Sequence, residues 1–334
     1  MHNNISVFIP HIGCPHKCTF CDQRTISGAV HAPTADEAEA IIRGAYEYMS
    51  PEKRRVTEIA FFGGSFTAVP REYMLSLLAA AKNYLSPARE DGFYGIRLST
   101  RPDCINEEIL DILKENGVTA IELGSQSMSD RVLALNERGH TADDTIKSSA
   151  LIKSCGFELG LQMMVGLYGS SPEDELFTME KIAECAPATV RIYPTAVIEG
   201  TKLAELYRSG AYKLFGFDEC VRLCAEMTKY FRRRGIRIIR MGLHAEKSLE
   251  EKYIAGYYHP AFAEIVRSEL FRQCIAAHIG EGKDIYVSPR DISAALGHKR
   301  SNAAFFADSD ISISPDEKLE RGYVRIGENI YSIA

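Results

Sequence analysis

The chain has 334 residues, of which 46% are hydrophobic and 25% charged, and its formal net charge is −6. This composition is ordinary for a globular protein, and the length allows one barrel-sized domain with a small addition or two modest domains. The acidic balance excludes a chain that is basic throughout, as many nucleic-acid-binding domains are. Because no apolar run could span a bilayer and the first residues do not resemble a signal peptide, we expect a cytoplasmic protein with no membrane partner.

Three of the nine cysteines crowd into one stretch near the N-terminus. Cys14, Cys18 and Cys21 follow the apolar run from Ile5 to Pro10. An odd number of cysteines with such a cluster favours metal ligation over a disulfide framework in a cytosolic chain. Three thiolates at this spacing can bind three irons of a [4Fe–4S] cluster and leave the fourth iron open. A structural zinc ion or a ferredoxin-type cluster needs a fourth ligand, and the sequence places none nearby at the usual spacing.

After this stretch, predicted helices alternate with short apolar strands. Caps such as Thr34, Asn106, Thr141 and Ser171 begin helices, and Gly or Pro ends them. In chain order we predict a helix over 34–50, a strand over 56–62, a helix over 71–85, a strand over 94–99, a helix over 106–116, a strand over 118–123, a helix over 141–155, a strand over 157–165, a helix over 171–187, a strand over 189–193, a helix over 218–235 and a strand over 236–241. This alternation predicts repeated βα units and a parallel sheet.

Six or seven similar βα units favour a partial or complete (β/α) TIM-like barrel, whose functional loops follow the strands. The cysteine stretch follows the first predicted strand and Gly63-Gly64 follows the second, so we expect both on one face. From about residue 245 the pattern changes to a helix over 259–278, a short helix from 288 and two strands over 323–326 and 330–333. We therefore predict a barrel domain over 1–245 and a small C-terminal accessory domain over 246–334.

The pattern Cys-x3-Cys-x2-Cys, with Phe20 before its last cysteine, resembles the signature of radical S-adenosylmethionine (SAM) enzymes. In that family the open iron holds SAM, and one electron cleaves it to methionine and a 5′-deoxyadenosyl radical, which abstracts hydrogen from a substrate. The resemblance implies two cofactors, a [4Fe–4S] cluster ligated by Cys14, Cys18 and Cys21, and SAM. It also implies a one-electron reductant such as flavodoxin or ferredoxin as a partner.

Other residues match cofactor-binding motifs of the family. The run from Phe62 to Phe66 resembles its glycine motif after the second strand, and the run from Ser99 to Asp103 ends the third strand, where the family has another contact. Gln126 and Arg138 match polar positions of the branch similar to coproporphyrinogen dehydrogenase, and Gln162 stands where that branch usually has Asp. The resemblance thus implies SAM-binding roles for Gly63, Gly64, Ser65, Thr100, Gln126, Arg138 and Gln162. A tight turn is the structural alternative for the glycines, and helix capping for Arg138.

Longer motifs resemble the radical domain of the Elongator catalytic subunit, over roughly residues 5–245. They lie at 62–66, 99–103, 122–127, 138–141, 191–195 and 199–201. That subunit modifies wobble uridines of transfer RNA and carries an acetyltransferase domain as well. The resemblance implies radical chemistry in tRNA or RNA modification. Because residues 246–334 are too few for an acetyltransferase domain, we do not expect acetyl transfer.

Two alternative functions stay open at this point. A radical SAM enzyme acting on a small molecule such as a tetrapyrrole agrees with the acidic net charge, and a non-catalytic RNA-binding barrel could keep a cluster for structure. The basic run 232–234, with Arg237 and Arg240, either binds phosphate or forms a solvated helix end, and Lys299-Arg300 adds a second basic site. Tyr193, at the end of a predicted strand, either reaches the substrate or packs in the core.

Overall fold

The computed structural model describes residues 3–15, 17–28, 31–86 and 90–334. Met1 and His2, His16 of the cysteine stretch, and residues 29–30 and 87–89 lie outside the described ranges. The strands are β1 (Asn3–Ile9), β2 (Thr57–Gly63), β3 (Gly95–Thr100), β4 (Val118–Gln126), β5 (Glu158–Val165), β6 (Thr189–Pro194), β7 (Ala196–Ile198), β8 (Arg237–Met241), β9 (Tyr253–Gly256), β10 (Asp284–Val287), β11 (Ser312–Pro315), β12 (Tyr323–Ile326) and β13 (Asn329–Ser332).

The helices lie mostly between consecutive strands, as the sequence predicts. They are α1 (Gln23–Ser27), α2 (Ala35–Tyr48), α3 (Pro51–Arg54), α4 (Arg71–Lys82), α5 (Glu107–Glu115), α6 (Asp130–Leu135), α7 (Ala142–Ser154), α8 (Pro172–Glu184), α9 (Lys202–Arg208), α10 (Phe217–Arg233), α11 (Lys247–Lys252), α12 (Phe262–His278), α13 (Ile292–Leu296) and α14 (Ser301–Phe305). The capping boxes at Thr34, Thr141 and Ser171 are formed by both hydrogen bonds.

The main sheet has seven parallel strands in the order β1-β2-β3-β4-β5-β6-β8, which confirms the predicted partial (β/α) barrel. Strands β1 and β2 pair in register from Asn3 opposite Thr57 to Ile9 opposite Gly63. All seven carboxyl ends therefore lie at one edge of the curled sheet. Alternate residues of β1 face in opposite directions, so that Val7 is buried against the helices while Phe8 faces the interior of the barrel.

Two smaller sheets lie outside the main sheet, and the sequence patterns did not predict them in full. Strands β7 and β9 form an antiparallel pair, and β11-β10-β12-β13 form a four-stranded sheet. Helix α12 packs against α10, and one continuous apolar core joins the barrel to the C-terminal sheet. The boundary near residue 245 stays a prediction. Within the described ranges, no helix is both long enough and apolar enough to cross a bilayer.

Candidate active site

The loop that carries the cysteines is held by close backbone packing against the end of β2. The Gly64 amide donates to the carbonyl of Ile9 at 2.7 Å. A Cβ added to Gly64 would lie 2.0 Å from the carbonyl oxygen of Ile12, and one added to Gly13 would lie 2.2 Å from that of Ser65. The glycines thus allow two loops to approach more closely than side chains would permit.

The three thiols of this loop influence one another. Burial, and then the neighbouring Cys18 and Cys14, raise the pKa of Cys21 to about 12. Burial also raises the pKa of Cys14, although a hydrogen bond from the Ser65 backbone opposes the change. Holding Cys14 and Cys21 as thiolates therefore requires positive charge at the site.

Arg138 supplies part of that charge from a distant segment of the chain. Its Nη1 donates to the Sγ of Cys18 at 3.0 Å, and its Nη2 donates to the carbonyl of Gly124 at 2.6 Å. Arg101 donates to the carbonyl of Arg138 and is held in turn by two bonds to Asp103, of 2.9 and 3.0 Å. Arg138 is therefore fixed at the cysteines rather than serving as a surface helix cap.

The described cysteines do not form a site for a single metal ion. No three His, Cys, Asp or Glu side chains of the described ranges converge on one point as ligands of one ion would. Three thiolates that bind three different irons of one cluster are expected to stand farther apart than the ligands of a single ion.

Gln126, at the end of β4, has a strained backbone at the same edge of the sheet. Its φ of +63° is uncommon for a residue with a side chain, and its Oε1 is buried without a hydrogen-bond partner among the described residues. A Cβ added to Gly124 would lie 3.0 Å from the Nε2 of Gln126 and 3.4 Å from the Nη2 of Arg138. The two side chains thus lie together over a glycine, and the buried Nε of Arg138 also has no partner. Strain and unsatisfied polar atoms in one place indicate a ligand site.

A cavity of about 470 Å³ opens inside the barrel beside these groups. Of the predicted site residues, the cavity is lined by Cys21, Gly63, Gln126 and Gln162, and Tyr193 also lines it. Its walls include apolar side chains from several strands and from the following loops, among them Phe8, Phe20, Phe62, Met164 and Leu243. A volume of this size suits a small-molecule cofactor together with part of a substrate.

Ser65 and Thr100 lie behind the cavity wall rather than on it. Their hydroxyls hydrogen-bond each other at 2.8 Å, and Thr67 also bonds Thr100 at 2.6 Å. The Arg101 amide donates to Ser65 at 3.3 Å. These two residues therefore connect the glycine turn to the end of β3 and support the cysteine loop.

A buried network of charges forms the floor of the cavity. Glu122 and Arg191 begin two of the family-like motifs, but the sequence analysis gave them no role in the site. Glu122 accepts from Arg191 at 2.6 and 2.9 Å and from the Nε2 of Gln162 at 2.9 Å. Arg97, only 1% exposed, lies within 3.4 Å of Glu122 and bonds Glu58 at 2.7 Å. The available signal was the presence of charged residues inside strands predicted to be buried, since such charges need partners.

The predicted basic run is divided by the fold. Arg232 and Arg233 are in the last turn of α10, and Arg234 stacks on the ring of Tyr230 at 3.6 Å. Arg237 pairs with Glu158 at the amino end of β8. Arg240, near the carboxyl end of β8, is the member of this run that faces the edge of the sheet where the cysteines lie.

Comparison with known proteins agrees with this arrangement. Residues 8–182, more than half of the chain, match the model of the Radical SAM superfamily. The chain belongs to the radical SAM superfamily. Residues 187–272 match the Radical_SAM C-terminal domain. The resemblance identified from the cysteine spacing is confirmed, and the chain is an enzyme of this family.

Relatives of this radical SAM chain include tRNA-modifying proteins. It is 29% identical over 246 residues to the tRNA uridine(34) acetyltransferase of Methanocaldococcus jannaschii. The match covers 63% of this chain and 45% of that protein. It is 29% identical over 262 residues to human Elongator complex protein 3, covering 65% and 47%. An uncharacterized protein of M. jannaschii is 30% identical over 232 residues, covering 66% and 69%. The chain spans about half the length of the tRNA uridine(34) acetyltransferase and of Elongator complex protein 3.

Solved structures show the same fold. The archaeal Methanocaldococcus infernus Elp3 with an N-terminal deletion superimposes with a TM-score of 0.65 at 22% identity, covering 81% of this chain and 63% of that one. Coproporphyrinogen III oxidase (HemN) from Escherichia coli gives a TM-score of 0.50 at 18% identity, covering 70% and 53%. Both likenesses support the radical SAM partial barrel with a C-terminal addition.

Membership of the radical SAM superfamily implies a [4Fe–4S] cluster and SAM, and the residues present fit both. The donor set offers three neighbouring thiols with a guanidinium on one of them. The unpartnered Oε1 of Gln126 and Nε of Arg138 are buried polar atoms that a polar cofactor can satisfy. The site therefore agrees with the family in both its metal-ligating and its cofactor-binding parts.

Proposed function

We propose that this radical SAM enzyme modifies a nucleoside of transfer RNA. Cys14, Cys18 and Cys21 would ligate the cluster, and SAM would occupy the upper part of the barrel cavity. The observation that carries the RNA substrate is the similarity to tRNA uridine(34) acetyltransferases and Elongator complex protein 3 over nearly two thirds of the chain.

The residues around the cavity would divide the work of binding. Arg138 would hold the Sγ of Cys18 by its hydrogen bond and would keep its Nε available to a ligand. The amide of Gln126 would bind a polar group of SAM, for which its strained backbone is already set. Gln162 is oriented by its hydrogen bond to Glu122 and would contact SAM from the floor of the cavity. Ser65 and Thr100 would act through the loop they brace.

When bound, the cluster and SAM supply a carbon radical that removes a hydrogen atom from the substrate. The chain's own task is to position the substrate and exclude water from that radical. The apolar walls around the cavity, including Phe8, Phe62 and Met164, suit this task. Tyr193 lines the cavity beside Arg191, and burial raises the pKa of Tyr193, so that its phenol stays protonated.

Deuterium transfer from the substrate tests this function directly. The anaerobically reconstituted enzyme would be incubated with SAM, a one-electron reductant such as flavodoxin or ferredoxin, and transfer RNA from cells grown in deuterated medium. We expect deuterium in the 5′-deoxyadenosine that forms and faster SAM cleavage with RNA than without it. No transfer from RNA, together with transfer from a tetrapyrrole, would show instead that the substrate is a small molecule.

A further inference from the structure

A second groove, of about 330 Å³, lies at the carboxyl end of β8. One wall comes from Arg240, Met241 and Leu243, and the other from residues 259–264 and Arg267 at the beginning of α12. Leu243 also lines the barrel cavity, so the groove and the cavity are neighbours at the same edge of the sheet. A molecule seated in the groove would therefore lie beside the entrance to the active site.

Two arginines line the groove, and one of them has no carboxylate partner among the described residues. Arg240 is partly buried, its Nε donates to the Gly242 carbonyl at 3.0 Å, and no ion pair links it to an acidic residue of the described ranges. Arg267 pairs with the buried Asp291 at 2.5 Å, yet its Nε is buried and has no partner in the described part of the chain. Glu264 is the acidic side chain among the residues that line the groove. The residues that line the groove thus carry two guanidinium groups and one carboxylate, in a chain whose net charge is −6.

A strained basic turn stands at the side of this groove. The ring of His298 lies edge-on to that of His259, a groove residue, with 5.1 Å between the ring centroids. The next two residues, Lys299 and Arg300, have φ of +52° and +63°, are exposed, and form no ion pair with the described part of the chain. Consecutive side-chain-bearing residues with positive φ are costly, and such strain is concentrated at functional sites.

We propose that this groove and the His298–Arg300 turn together bind phosphates of the RNA whose nucleoside enters the barrel. One guanidinium group can donate two parallel hydrogen bonds to the oxygens of a phosphate, and exposed lysines add positive charge along a polynucleotide backbone. The proposal rests on the RNA substrate proposed above and assigns its docking surface. The turn lies beyond residue 272, where the second family match ends, so the family comparison does not assign it.

The test is RNA binding as a function of salt, because each lost phosphate contact removes about one unit from the slope of log K against log salt. The reconstituted protein and the double variant Lys299→Gln/Arg300→Gln would be titrated with fluorescent transfer RNA between about 50 and 200 mM potassium chloride. Glutamine keeps the length of the side chains and removes their charge. The matched control is Arg43→Gln/Arg55→Gln, which removes two exposed arginines near the opposite, β1–β2, side of the sheet.

For Lys299→Gln/Arg300→Gln we expect the slope of log K against log salt to become shallower by about two, while the control keeps the wild-type slope. Arg240→Gln, with its melting temperature measured to establish folding, should lower the slope by about one. Equal slopes for wild type, control and both groove variants would overturn the docking surface while leaving an RNA substrate intact. No binding of RNA by the wild type itself would contradict the proposed function.

Discussion

The two ends of the barrel interior differ in how their buried charged and amide side chains are paired. On the floor, Glu122 has two arginines and a glutamine as partners, and Arg97 lies among carboxylates. At the carboxyl edge, Gln126 and Arg138 keep buried atoms without partners, and the Gln126 backbone is strained. In barrels of this kind the amino-terminal face serves stability and the carboxyl face serves chemistry. The contrast thus separates groups that hold the strands from groups kept for a ligand.

Breaking the floor network should give the largest loss of stability. Burial raises the pKa of Glu122, but Arg191 and Arg97 outweigh it and the net pKa is lowered, so the carboxylate is charged. Glu122→Gln should lower the free energy of unfolding by roughly 3–5 kcal/mol, because it leaves buried arginines short of charge. Glu158→Gln, whose carboxylate is 34% exposed, is the control and should cost at most about 1 kcal/mol. Urea unfolding measures both, and equal losses would contradict the account.

Glu175 carries a carboxyl group about as buried as that of Glu122, but no cation of the described ranges pairs with it. Glu175 and Glu122 are 3% and 1% exposed, and Glu175 accepts from the Gly166 amide and the Ser170 hydroxyl, both at 2.7 Å. Burial raises its pKa from 4.5 to about 7. A raised pKa favours the folded state below the unfolded value, and that contribution is lost as pH rises through the folded value.

We therefore expect the wild type to lose stability relative to Glu175→Gln as pH rises from about 4.5 to 7. The change should be roughly 1.4 kcal/mol for each unit of pKa shift. Urea unfolding of both proteins across this pH range isolates the contribution of Glu175, since their other titrating groups are shared. Parallel stability curves would mean that Glu175 does not titrate in this window.

Filling the space between Gln126 and Arg138 should weaken SAM binding without unfolding the protein. Gly124→Ala adds a Cβ at 3.0 Å from the Gln126 amide, and both neighbouring groups are ends of flexible side chains that must move. We expect the Kd for SAM to rise about tenfold, which corresponds to about 1.4 kcal/mol. Gly44→Ala adds the same methyl group where no atom lies within 4 Å and serves as the control. Calorimetric titration of the reconstituted proteins with SAM decides, and an unchanged Kd for Gly124→Ala would count against this site.

The smallest effect concerns backbone strain at Gln126. Gln126→Gly removes the Cβ and with it the steric cost of the positive φ, whereas Gln126→Ala retains that cost. Both variants remove the side-chain amide. The alanine variant should be less stable than the glycine variant by about 1 kcal/mol, and both should bind SAM more weakly than the wild type. If thermal unfolding ranks alanine above glycine, the strain at the carboxyl edge is not real.

The sequence predicts the barrel because its signals are local. Capping boxes such as that at Thr34, and glycines that end helices, mark each βα unit, and the cysteine spacing marks the metal site. Short elements such as β7 and β9 escaped prediction, since three or four residues carry too little periodicity and their pairing joins distant parts of the chain. The contact of Arg138 with Cys18 spans 120 residues of sequence and needed the fold to appear.

The charged floor and the basic groove were also hidden for a physical reason. A charge inside an apolar strand announces that a partner exists, but the identity of the partner depends on which strands become neighbours. Likewise, the run containing Arg237 and Arg240 looked uniform in sequence, while the fold directs these two residues to opposite ends of β8.

The central claim is that the three-cysteine loop holds a cluster able to cleave SAM. Anaerobically reconstituted wild type should contain about four iron atoms per chain and form 5′-deoxyadenosine from SAM with a strong reductant. Cys14→Ala, Cys18→Ala and Cys21→Ala should each lose that product, while the matched control Cys155→Ala, outside the loop, retains it. A fully reconstituted wild type that yields no 5′-deoxyadenosine, or a Cys18→Ala variant that yields as much as the control, would contradict the account.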